Sequence, residues 1–138
     1  MKIDYESLIK LAFEARERAV APFSSFKVGA ALLCDSGEVY TGCNVESCSF
    51  SATICAERVA LFKAISEGEE DFAALVIVGG PDGCEDFSYC PPCGVCRQVI
   101  SEYCASPDFE IILARSADDY QIYNIEQLLP LAFDGKIL

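Results

Sequence analysis

The chain has 138 residues, the size of one ordinary globular domain, and residues 1–138 read as a single domain. Hydrophobic residues make up 52% and charged residues 23%, which excludes a disordered chain. Acids outnumber bases 22 to 10, and the formal charge of −12 argues against a nucleic-acid or anionic-membrane partner and suits a small neutral or cationic ligand. There is no His, so no Ser-His-Asp or Cys-His nucleophile and no imidazole metal ligand can be built from this chain. No stretch approaches the roughly 18 apolar residues of a membrane span, and the charged N-terminal segment lacks the apolar core of a signal peptide. The expected setting is the cytoplasm. Nine cysteines in a reducing compartment point to metal or redox chemistry rather than disulfides, and an odd count leaves at least one thiol unpaired.

In chain order, Ile3, Leu8, Leu11, Ala12, Ala15 and Ala19 recur at helical spacing, and Pro22 helps to end that helix. Residues 26–33 and 39–45 read as two strands joined by the turn Asp35-Ser36-Gly37, a hairpin in which Gly42 marks a bulge or a close backbone approach. A second helix is expected over 55–67, stopped by Gly68. The continuous apolar run FAALVIV at 72–78 predicts a strand buried on both faces. Pro91-Pro92 precedes a third helix over 93–104. A strand at 111–114, a weaker one at 121–123 and a short helix at 126–132 follow. This order predicts an α/β fold, a three-layer αβα sandwich around a mixed sheet of about five strands.

Two motifs carry the chemistry. Cys55-Ala56-Glu57-Arg58 opens one helix and Pro92-Cys93-Gly94-Val95-Cys96-Arg97 opens the next. Helix N-termini favour the thiolate, so Cys55, Cys93 and Cys96 can fill three tetrahedral positions around zinc and leave the fourth open, as catalytic zinc sites do. Three thiolates leave the centre one negative charge in excess, which Arg58 and Arg97 could offset by hydrogen bonding to sulfur. Glu57, two residues beyond a ligand, can reach a water in the open position and move a proton. Zinc deaminases that act on nucleobases carry H-x-E followed by P-C-x-x-C, with a three-Cys variant, and the C-x-E and P-C-x-x-C of this chain match that variant.

The chain resembles the small, homotetrameric class of cytidine deaminases over most of its length. The resemblance lies in APFSSFKVGAAL (residues 21–32), GCNVE (42–46), TICAER (53–58), PCGVCRQ (92–98) and LLPLAF (128–133). It implies zinc-dependent hydrolytic deamination of cytidine and deoxycytidine in pyrimidine salvage. Cys55, Cys93 and Cys96 match the zinc ligands and Glu57 the proton shuttle. Asn44 and Glu46 match the pair that hydrogen-bonds the ribose hydroxyls, and strand alternation allows both on one face. Phe26 matches an aromatic that packs on the pyrimidine, the Ala56 backbone a donor to the base carbonyl, and Phe133 an aromatic supplied by a neighbouring subunit. The chain departs from the pattern at positions 48 and 90, which carry Cys, and at 50, which carries Phe where many relatives have Tyr.

Taken singly, these residues have plainer explanations. Cys93-x-x-Cys96 fits a structural zinc half-site or a redox pair, Glu57 an ordinary first-turn acid, Phe26 and Phe133 core positions, Asn44 a cap, and the arginines surface charges. Cys90 extends the motif towards an iron–sulfur run, but Ile100-Ser101 stands where the fourth Cys and its Pro belong. The other cysteines read as small buried hydrophobes or spectators. A deaminase acting on a cytosine-containing antibiotic would share the zinc site but lacks a clear counterpart of Asn44-Val45-Glu46. A non-catalytic zinc or redox module would not need Glu57.

Overall fold

The computed structural model describes residues 1–138, apart from the side chain of Ile137. Its elements are α1 (Tyr5–Arg16), β1 (Phe26–Cys34), β2 (Val39–Cys43), α2 (Ala56–Ser66), β3 (Phe72–Pro81), α3 (Gly94–Tyr103), β4 (Glu110–Ser116), β5 (Asp119–Tyr123) and α4 (Ile125–Leu128). The five strands form one sheet in the order β2-β1-β3-β4-β5. β3 and β4 run parallel and the other neighbours antiparallel, so the sheet is mixed as expected.

The sheet is buried on both faces because its central strands alternate between two apolar sets. Ala31, Ala74, Val76, Val78, Ile112 and Ala114 pack with Leu8, Ile9 and Ala12 of α1. Ala30, Leu32, Leu75, Ile77, Ile111 and Leu113 face the other way, onto Ala60, Leu61 and Ala64 of α2 and Ile100 of α3. Each fully buried Val, Leu or Ile side chain here contributes about 1.5–3 kcal/mol. These two cores make the three layers predicted from the strand and helix order.

Local chemistry sets the helix limits. Asp4 caps α1, its carboxylate accepting from the Ser7 N–H at 3.2 Å. The helix stops at Arg16, short of the expected Ala19. The buried Arg16 guanidinium donates to the carbonyls of Lys27 at 3.0 Å and of Gly80 and Pro81 at 2.8 Å, and lies over the Phe87 ring. Just beyond it, Val20 leaves to bridge Val45. α2 ends in a Schellman turn, with Gly68 at φ +97° and the Glu69 N–H donating to the Ala64 carbonyl at 3.1 Å. α4 is shorter than the expected 126–132, because Pro130 cannot continue the helix and Leu131 turns to φ +53°.

Two glycines let helices lie directly on strands. A Cβ on Gly29 would sit 2.0 Å from the Ala12 carbonyl oxygen of α1. A Cβ on Gly42 would sit 2.4 Å from the Ala56 carbonyl oxygen and 2.6 Å from the Ala60 nitrogen of α2. Gly42 is therefore a close backbone approach rather than a bulge, and it seats the first turn of α2. Gly42→Ala is expected to cost about 1–3 kcal/mol through overpacking, read as a lower melting temperature in thermal denaturation. An unchanged melting temperature would mean that α2 yields freely at this contact.

Candidate metal centre and active site

The site lies at one end of the sheet, where β1 begins and β2 and β3 finish. The helices α2 and α3 both start there, with Cys55 and Cys93 as their N-caps rather than as their first helical residues. The Cys55 carbonyl accepts from the Val59 N–H at 3.1 Å and the Cys93 carbonyl from the Arg97 N–H at 2.9 Å. Both sulfurs therefore sit at positive helix ends. One turn on, Cys96 is buried, and its N–H donates to the Cys93 Sγ at 3.5 Å. The sulfurs of Cys55, Cys93 and Cys96 all lie within 4.8 Å of one another, with Cys55 and Cys93 at 3.6 Å. Tetrahedral zinc with Zn–S bonds of about 2.3 Å needs sulfurs about 3.8 Å apart. The donor set fits zinc.

The electrostatics favour a metal-ready thiolate. Without metal, Cys55 is pulled down to about 5, first by the Cys96 thiol donating to it and then by Arg58. Cys96 is pushed up because it keeps the shared proton. Arg58 Nη2 donates to the Cys55 Sγ at 3.4 Å, as anticipated, and its Nε is buried without a partner among the described residues. Arg97 is placed differently: its Nε and Nη1 are directed to the carbonyls of Pro92 and Leu128, each at 2.8 Å, rather than to sulfur. It ties the segment before Cys93 to the end of α4.

Glu57 is 4% exposed, an unusual position for an unpaired carboxylate. Burial raises it to about 7, with the Cys55 charge adding to the effect. Cys90, read from sequence as a spectator, stands near this carboxyl. Burial pushes its thiol up to about 11, and the Glu57 and Cys55 charges reinforce the shift. Its sulfur fills the space over Gly79, where a Cβ would come within 2.7 Å of it.

The remaining predicted residues occupy the rim. The chain leaves β2 at Cys43, but the segment 44–46 stays extended, held by bridges from Val45 to Val20 and Ile54. The buried Asn44 side chain prolongs the sheet beyond β2: its Oδ1 accepts from the Val28 N–H at 2.9 Å and its Nδ2 donates to the Phe26 carbonyl at 2.8 Å. Each end of the amide keeps one further hydrogen-bonding position. The Glu46 carboxylate accepts from the N–H groups of Phe23 and Ser24 and from the Ser24 hydroxyl, and that hydroxyl bond holds it below the usual carboxylate range. Glu46 and Ser24 line a hollow of about 320 Å³ with Phe23, Phe50 and Thr53. Phe26 is partly exposed, and Ala56 is buried in the first turn of α2. Phe133 is exposed, its carbonyl accepting from Gln98 Nε2 at 2.8 Å. A larger cavity, about 880 Å³, opens at the opposite ends of β3 and β4, and neither Glu57 nor the three clustered thiols line it.

The model of the family "Cytidine and deoxycytidylate deaminase zinc-binding region" matches residues 2–107. The chain belongs to this family. It is 44% identical over 136 residues to a cytidine deaminase of Sporosarcina psychrophila, covering 99% of this chain and 96% of that one. It is 45% identical over 134 residues to a cytidine deaminase of Halalkalibacterium halodurans, covering 97% of each. The crystal structure of a cytidine deaminase from Burkholderia pseudomallei superposes with a TM-score of 0.84 at 43% identity, covering 95% of this chain and 100% of that one. The α/β fold read from the sequence is thus the fold of the deaminase family, and zinc is the metal for which its thiols are suited.

Metal analysis of the purified protein should find one zinc per chain. Cys55→Ser should reduce that to a small fraction, while Cys48→Ser, at an exposed position outside the cluster, should leave it intact. Full zinc in the Cys55→Ser protein would rule out this ligand set.

Proposed function

We propose that this chain is a cytidine deaminase, converting cytidine and deoxycytidine with water to uridine and deoxyuridine and releasing ammonia. The observation that carries the reading is the buried Glu57 carboxyl, set beside three thiols whose spacing fits zinc. Zinc held by Cys55, Cys93 and Cys96 would supply a Lewis acid and a water ionised near neutral pH. Glu57 takes the proton released from that water and delivers it to N3 of the cytosine ring, which makes C4 electrophilic. The water oxygen then bonds to C4, and Glu57 carries the remaining proton from that oxygen to the amino group, so that the C4–N bond breaks, ammonia leaves and the C4 carbonyl of uridine remains. A carboxyl raised to about 7 by burial is matched to this work, since it can both accept and release a proton near neutral pH. Arg58 steadies the Cys55 thiolate, and Arg97 positions the chain entering Cys93.

Substrate contacts follow the same reading. Phe26 packs against the pyrimidine, the Ala56 N–H donates to the base carbonyl, and Asn44 and Glu46 hold the sugar hydroxyls. The Glu46 charge disfavours a phosphate nearby, so free nucleosides are preferred to nucleotides. Four copies assemble, and Phe133 of a neighbouring subunit completes each pocket. The exposure of Phe23, Phe50 and Phe133 supports that assembly. The whole of 1–138 serves as one catalytic domain, with cytoplasmic pyrimidine salvage as its setting. No helix among the described residues is long and apolar enough to cross a membrane.

Glu57→Gln should keep its zinc and its fold while kcat for cytidine, followed by the ultraviolet change to uridine, falls by about 10²–10⁴. Undiminished turnover would favour a zinc module whose chemistry does not use Glu57. Sedimentation should give the mass of four chains, and a monomer that is fully active would overturn the shared pocket.

A further inference from the structure

The loop between α1 and β1 contains an arrangement that the reaction does not account for. Ser24 donates its hydroxyl proton to Glu46 Oε2, and the same oxygen, Oγ, accepts from the Phe26 N–H at 3.0 Å. The backbone N–H groups of Phe23 and Ser24 fill Glu46 Oε1 from 2.9 and 3.1 Å. Between Ser24 and Phe26 the chain turns through Ser25 at φ +56°, a left-handed conformation uncommon for a residue with a Cβ. That turn is held from both sides, by the Ser25 N–H on the Ala21 carbonyl at 3.0 Å and by the Asp82 N–H on the Ser25 carbonyl at 2.7 Å.

An ionised carboxylate offers about four acceptor positions. Three on Glu46 are filled from within the chain, which leaves one, on Oε2, for a ligand hydroxyl. The Ser24 hydroxyl proton is already committed to Glu46, so Ser24 cannot donate to a ligand. It can fix the carboxylate plane, whose terminal torsion is otherwise broad. It also joins that plane to the backbone of Phe26, while Asn44 holds the Phe26 carbonyl from the other side.

We propose that Ser24 is a positioning residue for sugar recognition, acting through Glu46 to aim the one free acceptor position at a sugar hydroxyl in register with Phe26. This rests on the reading of Glu46 as a sugar ligand. A serine that merely closes the turn would affect all substrates alike. A positioning serine affects those that carry the hydroxyl.

The test compares KM and kcat for deoxycytidine and for 2′,3′-dideoxycytidine, which lacks the 3′-hydroxyl, using the zinc-loaded full chain. Ser24→Ala should raise KM for deoxycytidine roughly tenfold, the effect of losing a hydrogen bond to a charged group. KM for the dideoxy compound should shift less than about twofold, and kcat for either less than about threefold. Ser24→Thr, which keeps the hydroxyl, should restore the wild-type KM. Adding Ser24→Ala to Glu46→Gln should produce no further rise in KM for deoxycytidine, because the two residues act as a unit. Equal shifts for both nucleosides, or additive effects in the double variant, would overturn the role of Ser24. If Glu46→Gln abolishes the discrimination and Ser24→Ala does not, only that role falls. If Glu46→Gln leaves the discrimination unchanged, the sugar-ligand reading fails together with it.

Discussion

Two helices that begin at the same end of one sheet place everything else in this site. Because α2 and α3 both start where β1 begins and β3 ends, their N-caps bring Cys55 and Cys93 to 3.6 Å. Cys96 follows one turn later on the inner face of α3. The partial positive charges of two helix starts act on the same small volume, and Arg58 adds its own charge at the Cys55 sulfur. Gly42 is part of this constraint: only a residue without a Cβ lets the first turn of α2 lie against β2.

The same packing determines what Glu57 can do. One residue past Ala56, it is carried into the interior by the helix that Gly42 admits, and burial moves its proton affinity towards neutrality. The cluster therefore combines groups pushed in opposite directions, Cys55 towards the anion and Glu57 towards the acid. Such divergence between neighbouring titratable groups is a common feature of reactive centres.

Much of this was readable from residue order. FAALVIV gave away a doubly buried strand, and the two Cys motifs marked two helix starts because composition and periodicity are local signals. What the sequence hid depends on contacts between distant segments. Arg16 ends α1 by reaching the carbonyls of Gly80 and Pro81, and nothing in its own neighbourhood announces that reach. Arg97 turns to Leu128 rather than to sulfur for the same reason. Asn44 and Glu46 could be picked out by motif, but their ties to Phe26, Val28, Phe23 and Ser24 exist only once the α1–β1 loop folds onto the end of β2. Cys90 looked incidental until Gly79 gave its sulfur a place where the Glu57 charge acts on it.

The pairing of β1 with β3, which sets Phe26 opposite Pro81, also imposes an order of events during synthesis. A nascent chain exposes Cys55 before β3 exists, and its two partners in the cluster, Cys93 and Cys96, emerge only after β3. Metal capture becomes possible only after Cys96 has emerged and a long-range strand pairing has closed, a slow kind of contact to form. The three-thiol cluster is therefore assembled only by a chain that has paired β1 with β3.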